Sequence, residues 1–186
     1  MYRFLLPLLL GFASDWASAF TTAYSRRWGE RRGQALTFVL RMISGIPLWF
    51  IGILLAIASP SADLLQPGPV TDLFGWVLVV AGCVPMILGL LALRFSTALP
   101  ALGDALVERG IYARIRHPIY AGMLLEFPGL ALLHPKPTAL LACVLGLGWV
   151  YGQARLEERD LIQRIPAYRD YMQHVPRFLP RLPAKG

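Results

Sequence analysis

Residues 110–122 carry the side chains best suited to handle charges and protons. His117 can hold or release a proton near neutral pH, and Pro118 disfavours a helical conformation at the histidine before it. Arg114 and Arg116 place two guanidinium groups nearby, which can bind a carboxylate or a phosphate. The stretch predicts a loop that presents functional side chains where an apolar helix begins.

Aromatic and small residues complete the same stretch. Tyr112 and Tyr120 each combine a flat ring with a polar hydroxyl group, so both can pack against a ligand. Gly122 lacks a side chain, and a ligand or another backbone could approach closely there. This composition is typical of a binding site, although a histidine before a proline also occurs as a simple helix cap or a contact to lipid headgroups.

Two adjacent carboxylates form a second candidate group. Glu157 and Glu158 follow a long apolar run, and on a helix their side chains diverge by about 100°. They therefore cannot point equally into one pocket. A carboxylate here could accept hydrogen bonds from ribose hydroxyls or an ammonium group. The alternative is a solvated helix end with ion pairs between neighbouring turns.

The elements that must position these residues are membrane helices. The chain has 186 residues, of which 56% are hydrophobic and 16% charged, so it is more apolar than an ordinary soluble domain. A transmembrane helix needs roughly 20 mostly apolar residues. Five runs approach or exceed this length, at about 5–20, 37–58, 73–95, 119–133 and 138–155.

The predicted fold is all-α: one integral membrane domain over residues 1–186, with five transmembrane helices and a cytoplasmic C-terminal tail. The last two runs are short and are joined by a proline-rich turn, which predicts a helical hairpin. Pro47 and Pro85 lie inside runs and predict kinks. The first run also has features of a signal peptide, but Asp15 and the absence of a clear cleavage site favour a retained helix.

The basic residues predict the orientation of the chain. In this arrangement 16 of the 18 lysines and arginines fall on one side of the membrane, and only Arg3 and Lys136 fall on the other. The N-terminus is therefore expected outside and the C-terminus in the cytoplasm. Anionic lipid headgroups account for the net charge of +7 without a nucleic-acid partner.

Other reactive residues lie inside the apolar runs. Cys83 and Cys143 both do, so we expect neither a disulfide framework nor a metal site. Asp15 and Glu126 are ionisable groups in apolar surroundings, where such groups usually face the protein interior or water. Both are candidates for a functional or a structural pairing role.

The motifs also occur in an informative order. They comprise Gly110, Tyr112, Arg114, Arg116, His117, Pro118, Tyr120 and Gly122, then Glu157, Glu158 and Leu161, then Tyr168 and Tyr171, and finally 175–180. This series, within about 107–180, resembles the isoprenylcysteine carboxyl methyltransferase family. Phospholipid N-methyltransferases share a similar hairpin and paired glutamates.

The resemblance implies a membrane methyltransferase that binds S-adenosylmethionine on the cytoplasmic side of its last two helices. Its acceptor would be a lipophilic or lipid-anchored molecule, such as an isoprenylcysteine carboxylate. The implied cofactor-binding residues are Tyr112, Arg116, His117, Pro118, Tyr120, Gly122, Met123, Leu124, Glu157 and Glu158. The candidates for catalysis are Glu157, Arg155 and Arg177, and no metal is needed.

Several alternatives remain open at this stage. The acceptor could be a phospholipid amine, and the sequence does not decide whether oxygen, nitrogen or sulfur is methylated. A membrane reductase that binds NADPH is a rival, because sterol reductases end in a similar hairpin. A membrane scaffold without catalytic activity is the third possibility. The oligomeric state is not predicted.

Overall fold

The computed structural model describes residues 2–93 and 101–181, and the regular elements in those ranges are all helical. The α-helices are α1 (Leu5–Ser18), α2 (Thr21–Trp28), α3 (Glu30–Phe38), α4 (Ile46–Ala58), α5 (Pro69–Leu93), α6 (Pro118–Leu133), α7 (Pro137–Arg164) and α8 (Tyr168–His174). A π-helix at Val39–Gly45 joins α3 to α4, and a 3₁₀ turn occupies Gly110–Ala113. The all-α prediction is confirmed for these residues.

Each predicted apolar run contains a helix, but several boundaries differ. The first helix ends at Ser18 rather than at residue 20, and two further helices, α2 and α3, fill the predicted connection. Helix α7 continues to Arg164, well beyond the predicted end of the span at 155. The predicted end of the third span, at 94 and 95, lies outside the described residues.

Three helical segments are long and apolar enough to cross a membrane, namely Glu30–Ala58, Pro69–Leu93 and Pro137–Arg164. Two shorter apolar helices, Leu5–Ser18 and Pro118–Leu133, accompany them. The described residues therefore have the architecture expected of a membrane protein. The count of five spans remains a prediction.

The first long segment changes its hydrogen-bonding pattern just before Pro47. Proline has no amide hydrogen and its ring crowds the preceding turn, which disturbs the regular hydrogen bonding of the residues before it. Here the backbone widens into the π-helix at Val39–Gly45. The carbonyl oxygen of Leu40 accepts hydrogen bonds from the Ser14 and Ser44 hydroxyls, at 2.9 and 3.1 Å. This π-helix carries Arg41 towards the interior.

Glycines bring α5 and α6 together. A Cβ atom added to Gly82 would lie 2.6 Å from the carbonyl oxygen of Gly122 and 2.7 Å from Cγ of Glu126. Both distances are too short for real contacts, so the two backbones meet only because neither glycine has a side chain. Small residues at membrane helix interfaces commonly serve this purpose. In this structure Gly122 lies against α5.

The connections fall at two opposite ends of the bundle. Lys136, in the turn between α6 and α7, donates from Nζ to the carbonyl oxygens of Ile57 and Ser59 at 3.0 and 3.3 Å. The amide of Leu64 also donates to the Pro135 carbonyl oxygen. The α4–α5 and α6–α7 connections therefore meet at one end, while the motif residues gather at the other.

The glycine contact predicts a steric effect. Replacing Gly82 with Val should lower the free energy of unfolding by about 1–3 kcal/mol, because the added methyl groups force α5 and α6 apart. Thermal unfolding of the detergent-purified protein measures this. Gly148 is the matched control, since an added Cβ there meets nothing within 4 Å. Equal destabilisation by the two valine variants would contradict this account of the contact.

Candidate functional site

The carboxylate of Glu158 lies at the centre of an ion cluster. Arg116 donates to Oε1 from Nε and Nη2, at 3.1 and 2.9 Å. Arg177 donates from Nε to Oε1 at 2.9 Å and from Nη2 to Oε2 at 2.7 Å. Nε2 of His117 lies 3.2 Å from Oε1. These hydrogen bonds stabilise the charged carboxylate and raise the pKa of Arg177.

The chain after α8 is fixed to the beginning of α6 by the same residues. The backbone amides of Arg116 and His117 donate to the carbonyl oxygens of Pro176 and Arg177, at 2.9 and 3.0 Å. Nη1 of Arg116 also donates to the Val175 carbonyl oxygen at 2.6 Å. The segment near Val175 therefore lies directly beside the histidine motif, although it is about sixty residues away in sequence.

Helix α8 holds the loop before α6 in a similar way. The hydroxyl of Tyr171 donates to the carbonyl oxygen of Tyr112 at 2.6 Å, and both side chains are buried. Burial raises the pKa of the Tyr171 hydroxyl to about 12, so it remains a hydrogen-bond donor over the physiological range. The 3₁₀ turn that carries Tyr112 is thereby fixed in place.

Glu157 has a different set of partners from its neighbour. Its Oε1 accepts hydrogen bonds from Arg41 at 2.6 Å, Tyr120 at 2.7 Å and Gln153 at 3.1 Å. Nε of Arg41 lies 3.6 Å from Oδ1 of Asp15, so this guanidinium bridges two carboxylates. The two glutamates diverge as helical geometry requires.

A cavity of about 460 Å³ lies beside these groups, within the usual range of ligand pockets. Glu157 lines it and Glu158 does not. The acidic, arginine and histidine residues that also line it are Asp15, Arg41, Asp104, Arg116, His117, Asp160 and Arg164. Its apolar walls include Met42 from the π-helix, Ile46 from the start of α4, and Leu90 and Leu93 from the end of α5. The cavity is thus polar in one part and apolar in another.

Aromatic rings form another part of the wall. Trp149 is only 3% exposed and stacks on Phe12, with ring centroids 4.9 Å apart. Its ring also lies 5.6 Å from that of Trp49 and 6.2 Å from that of Tyr120. The indole N–H of Trp149 has no hydrogen-bond partner among the described residues. The cavity therefore has an aromatic wall beside its charged groups.

The predicted site residues divide into two groups. Those that line the cavity are Tyr112, Arg116, His117, Tyr120, Met123 and Glu157. Outside its lining lie Pro118, Gly122, Leu124, Glu158, Arg155 and Arg177. Arg155 is exposed and donates to the Tyr151 hydroxyl at 3.1 Å. Arg177 binds Glu158, so its contribution to the site is indirect in this structure.

The N-terminal helices supply residues that we did not assign to the site from the sequence. Arg41 could have been noticed, because it is the lone charge in an apolar run. Asp15 was flagged for the same reason, without a partner. The sequence does not mark Trp49 in α4, or Trp149 in α7, as site residues, since tryptophans in apolar helices usually pack in the core or at the membrane interface. Their role depends on which helices come together.

Residues 70–169, more than half of the chain, match the sequence model of a family described as phospholipid methyltransferase. The chain belongs to this family. The resemblance noted from the motifs is thereby confirmed. Family membership and the long apolar helices together indicate an integral membrane protein.

Individual relatives match over a shorter region. Methanethiol S-methyltransferase 2 of Bradyrhizobium diazoefficiens is 35% identical over 79 residues, which are 40% of this chain and 29% of that protein. Methanethiol S-methyltransferase of a Pseudomonas species is 34% identical over 74 residues, 38% of this chain and 27% of that protein. The cobalt-zinc-cadmium resistance protein CzcN of Cupriavidus metallidurans is 31% identical over 80 residues, 42% of this chain and 37% of that protein.

The matches therefore span between about a quarter and two fifths of the curated relatives' own length. No solved structure matches the chain.

The ion cluster predicts that Glu158 holds the C-terminal segment. Replacing Glu158 with Gln should lower the free energy of unfolding by about 3 kcal/mol, because two arginines would lose their buried counter-charge. Thermal unfolding and the rate of proteolysis after α8 would measure the change. Glu108→Gln is the control, since Glu108 is exposed. Unchanged stability and proteolysis in Glu158→Gln would show that the cluster does not anchor this segment.

Proposed function

We propose that this protein is a membrane methyltransferase that uses S-adenosylmethionine and acts on a lipophilic acceptor at the cytoplasmic leaflet. The observation that carries the proposal is the cavity in which Trp49, Tyr120 and Trp149 meet the carboxylate of Glu157. Membership of the phospholipid methyltransferase family supports the same reaction class.

The lining residues fit the chemistry of this cofactor. A sulfonium is a cation, and aromatic faces attract cations, with tryptophan the most effective ring. Oε1 of Glu157 accepts the hydrogen bonds from Arg41, Tyr120 and Gln153, and Oε2 accepts none of them. Oε2 can therefore accept hydrogen bonds from the ammonium or ribose hydroxyl groups of the cofactor.

The cofactor supplies a methyl group on a positively charged sulfur, which is already activated for displacement. The protein therefore has to align the acceptor and exclude water rather than form a covalent bond. Arg41 and Tyr120 fix the orientation of Glu157, while the buried rings exclude solvent. His117 lines the cavity beside Tyr120 and offers a ring nitrogen for hydrogen bonding.

The apolar part of the cavity favours a lipophilic acceptor. Met42 and Ile46 come from the segment around the π-helix, and Leu90 and Leu93 come from the end of α5. In the orientation predicted from the basic residues, this part of the cavity faces the inner leaflet. We propose five crossings, with the N-terminus outside and the C-terminus in the cytoplasm.

The reductase alternative receives less support from the site. NADPH carries a 2′-phosphate and a pyrophosphate, which require cationic partners. Arg41, Arg116 and Arg164, the arginines that line the cavity in the described residues, each pair with a carboxylate of the protein. Phosphate groups would have to displace those carboxylates.

Ligand binding tests the proposal. S-adenosylhomocysteine should bind the detergent-purified protein in equilibrium dialysis, and NADPH should not. Glu157→Gln should weaken the binding by about tenfold, because one charge-assisted hydrogen bond is worth roughly 1.5 kcal/mol or more. Glu108→Gln is the matched control. Binding of NADPH alone would support a reductase, and binding of neither ligand would support a scaffold.

The orientation can be tested separately. A fluorescent protein that matures only in the cytoplasm, fused after residue 186, should fluoresce, whereas the same reporter inserted in the α4–α5 connection should not. The positive-inside distribution of arginines is the reason for this expectation. The opposite pattern, with fluorescence only from the inserted reporter, would reverse the proposed topology.

A further inference from the structure

The hydrogen bond between His117 and Glu158 determines which ring nitrogen of the histidine carries the proton. Nε2 lies 3.2 Å from Oε1 of Glu158, and that carboxylate also accepts from Arg116 and Arg177. An ionised carboxylate only accepts hydrogen bonds, so Nε2 must be the donor. In the neutral imidazole, Nδ1 then carries the lone pair and can accept a proton.

The position of the ring directs this lone pair to the proposed site. His117 lines the cavity and stacks on Tyr120, with ring centroids 5.5 Å apart and planes 24° apart. The carboxylate nearest to Nδ1 is that of Glu157, whose Oε2 is 4.0 Å away, too far for a hydrogen bond. Nδ1 therefore accepts no hydrogen bond from the described residues, and it lies on the side of the ring nearest Glu157, which also lines the cavity.

The charges around the cavity restrict the charge that an acceptor can carry. Arg41 is shared between Glu157 and Asp15, at 2.6 and 3.6 Å. Arg116 pairs with Glu158 at 2.9 Å.

The third lining arginine is also paired. Arg164 interacts with Asp104 and with Asp160, the latter at 3.3 Å. An acceptor carboxylate would have to enter beside protein carboxylates whose arginines are already paired, and like charges at close range repel. A neutral acceptor avoids that repulsion, and a cationic acceptor is attracted.

We propose that His117 is the general base of the methyl transfer and that the acceptor is a nucleophile that arrives with its proton, a thiol or an amine. This inference rests on the proposed function and adds the acceptor class and the proton acceptor. It favours such acceptors over an isoprenylcysteine carboxylate, which is already ionised and needs no base.

The step balances as follows. The S–H or N–H proton of the acceptor passes to Nδ1 of His117, and the acceptor atom forms a bond to the methyl carbon. The bond between that carbon and the sulfonium sulfur breaks, and sulfur keeps the electron pair as a neutral thioether. The imidazolium that remains is stabilised by Glu158 at Nε2 and then releases its proton to water.

A substitution that preserves the hydrogen bond but removes the base tests this role. In His117→Gln the side-chain amide can still donate to Glu158, whereas no imidazole lone pair remains. Transfer to phenylmethanethiol at pH 7 should fall about 100-fold. Affinity for S-adenosylhomocysteine should fall by much less than the transfer rate, because the lost proton acceptor acts on the reacting proton.

A second thiol separates catalysis from structure. Thiophenol has similar bulk but is largely ionised at neutral pH, so it needs no base and should be affected much less by His117→Gln. The ratio of the two rates, benzyl over aryl thiol, should therefore fall at least about tenfold in this variant. The matched control is His134→Gln, at the other end of α6 and outside the cavity lining, where the ratio should not change.

Acceptors of equal length test the proposed class. With wild-type protein, octanethiol or octylamine should be methylated and octanoate should not. Methylation of octanoate alone, or S-adenosylhomocysteine binding with no transfer to any of the three, would overturn the acceptor class. Equal loss of both thiol activities in His117→Gln would overturn the base. Failure of S-adenosylhomocysteine to bind wild-type protein would instead refute the proposed function.

Discussion

A single buried carboxylate sets the geometry on which the site depends. Glu158, on α7, is hydrogen-bonded by Arg116 and His117 at the start of α6 and by Arg177 after α8, so the cluster joins three separate parts of the chain. Burying several charges is costly, and only the complete set of partners offsets the cost. The cluster therefore forms as a unit, which fixes the end of α7, the start of α6 and the segment after α8 relative to one another.

The N-terminal helices are joined to this unit through Arg41. The family match covers residues 70–169, so Asp15, Arg41 and Trp49 lie outside it, yet all three line the cavity. Arg41 reaches Glu157 from a helix that the family match does not include. The region shared with the family thus supplies Arg116, His117 and Glu158 of the ion cluster, while Arg177 follows it and the preceding helices complete the cavity.

The helices could be predicted from the sequence, and half of the residues assigned to the site from the sequence line the cavity. Long apolar runs specify membrane helices, and the motif around His117 together with the paired glutamates indicated where charges gather. Helical geometry also required that Glu157 and Glu158 diverge. Arg41 stands out as the lone charge in an apolar run, but its partner Glu157 and the position of Trp149 depend on helix packing between distant segments, which no local spacing encodes. Gly122 illustrates the same limit, since a close approach was expected there but its neighbour was not known.

The π-helix at Val39–Gly45 accommodates one residue more than an α-helix would over the same rise. Each residue turns a helix by about 100°, so this surplus residue sets the angular phase between the two halves of the longest helical segment. This angle has to meet two requirements at once. Arg41, in the π-helix, has to point towards the interior, and α4 has to pack against α1. A single-residue insertion or deletion in this turn would therefore rotate Arg41 relative to α4 and change the charge that faces the cavity without replacing any residue that lines it.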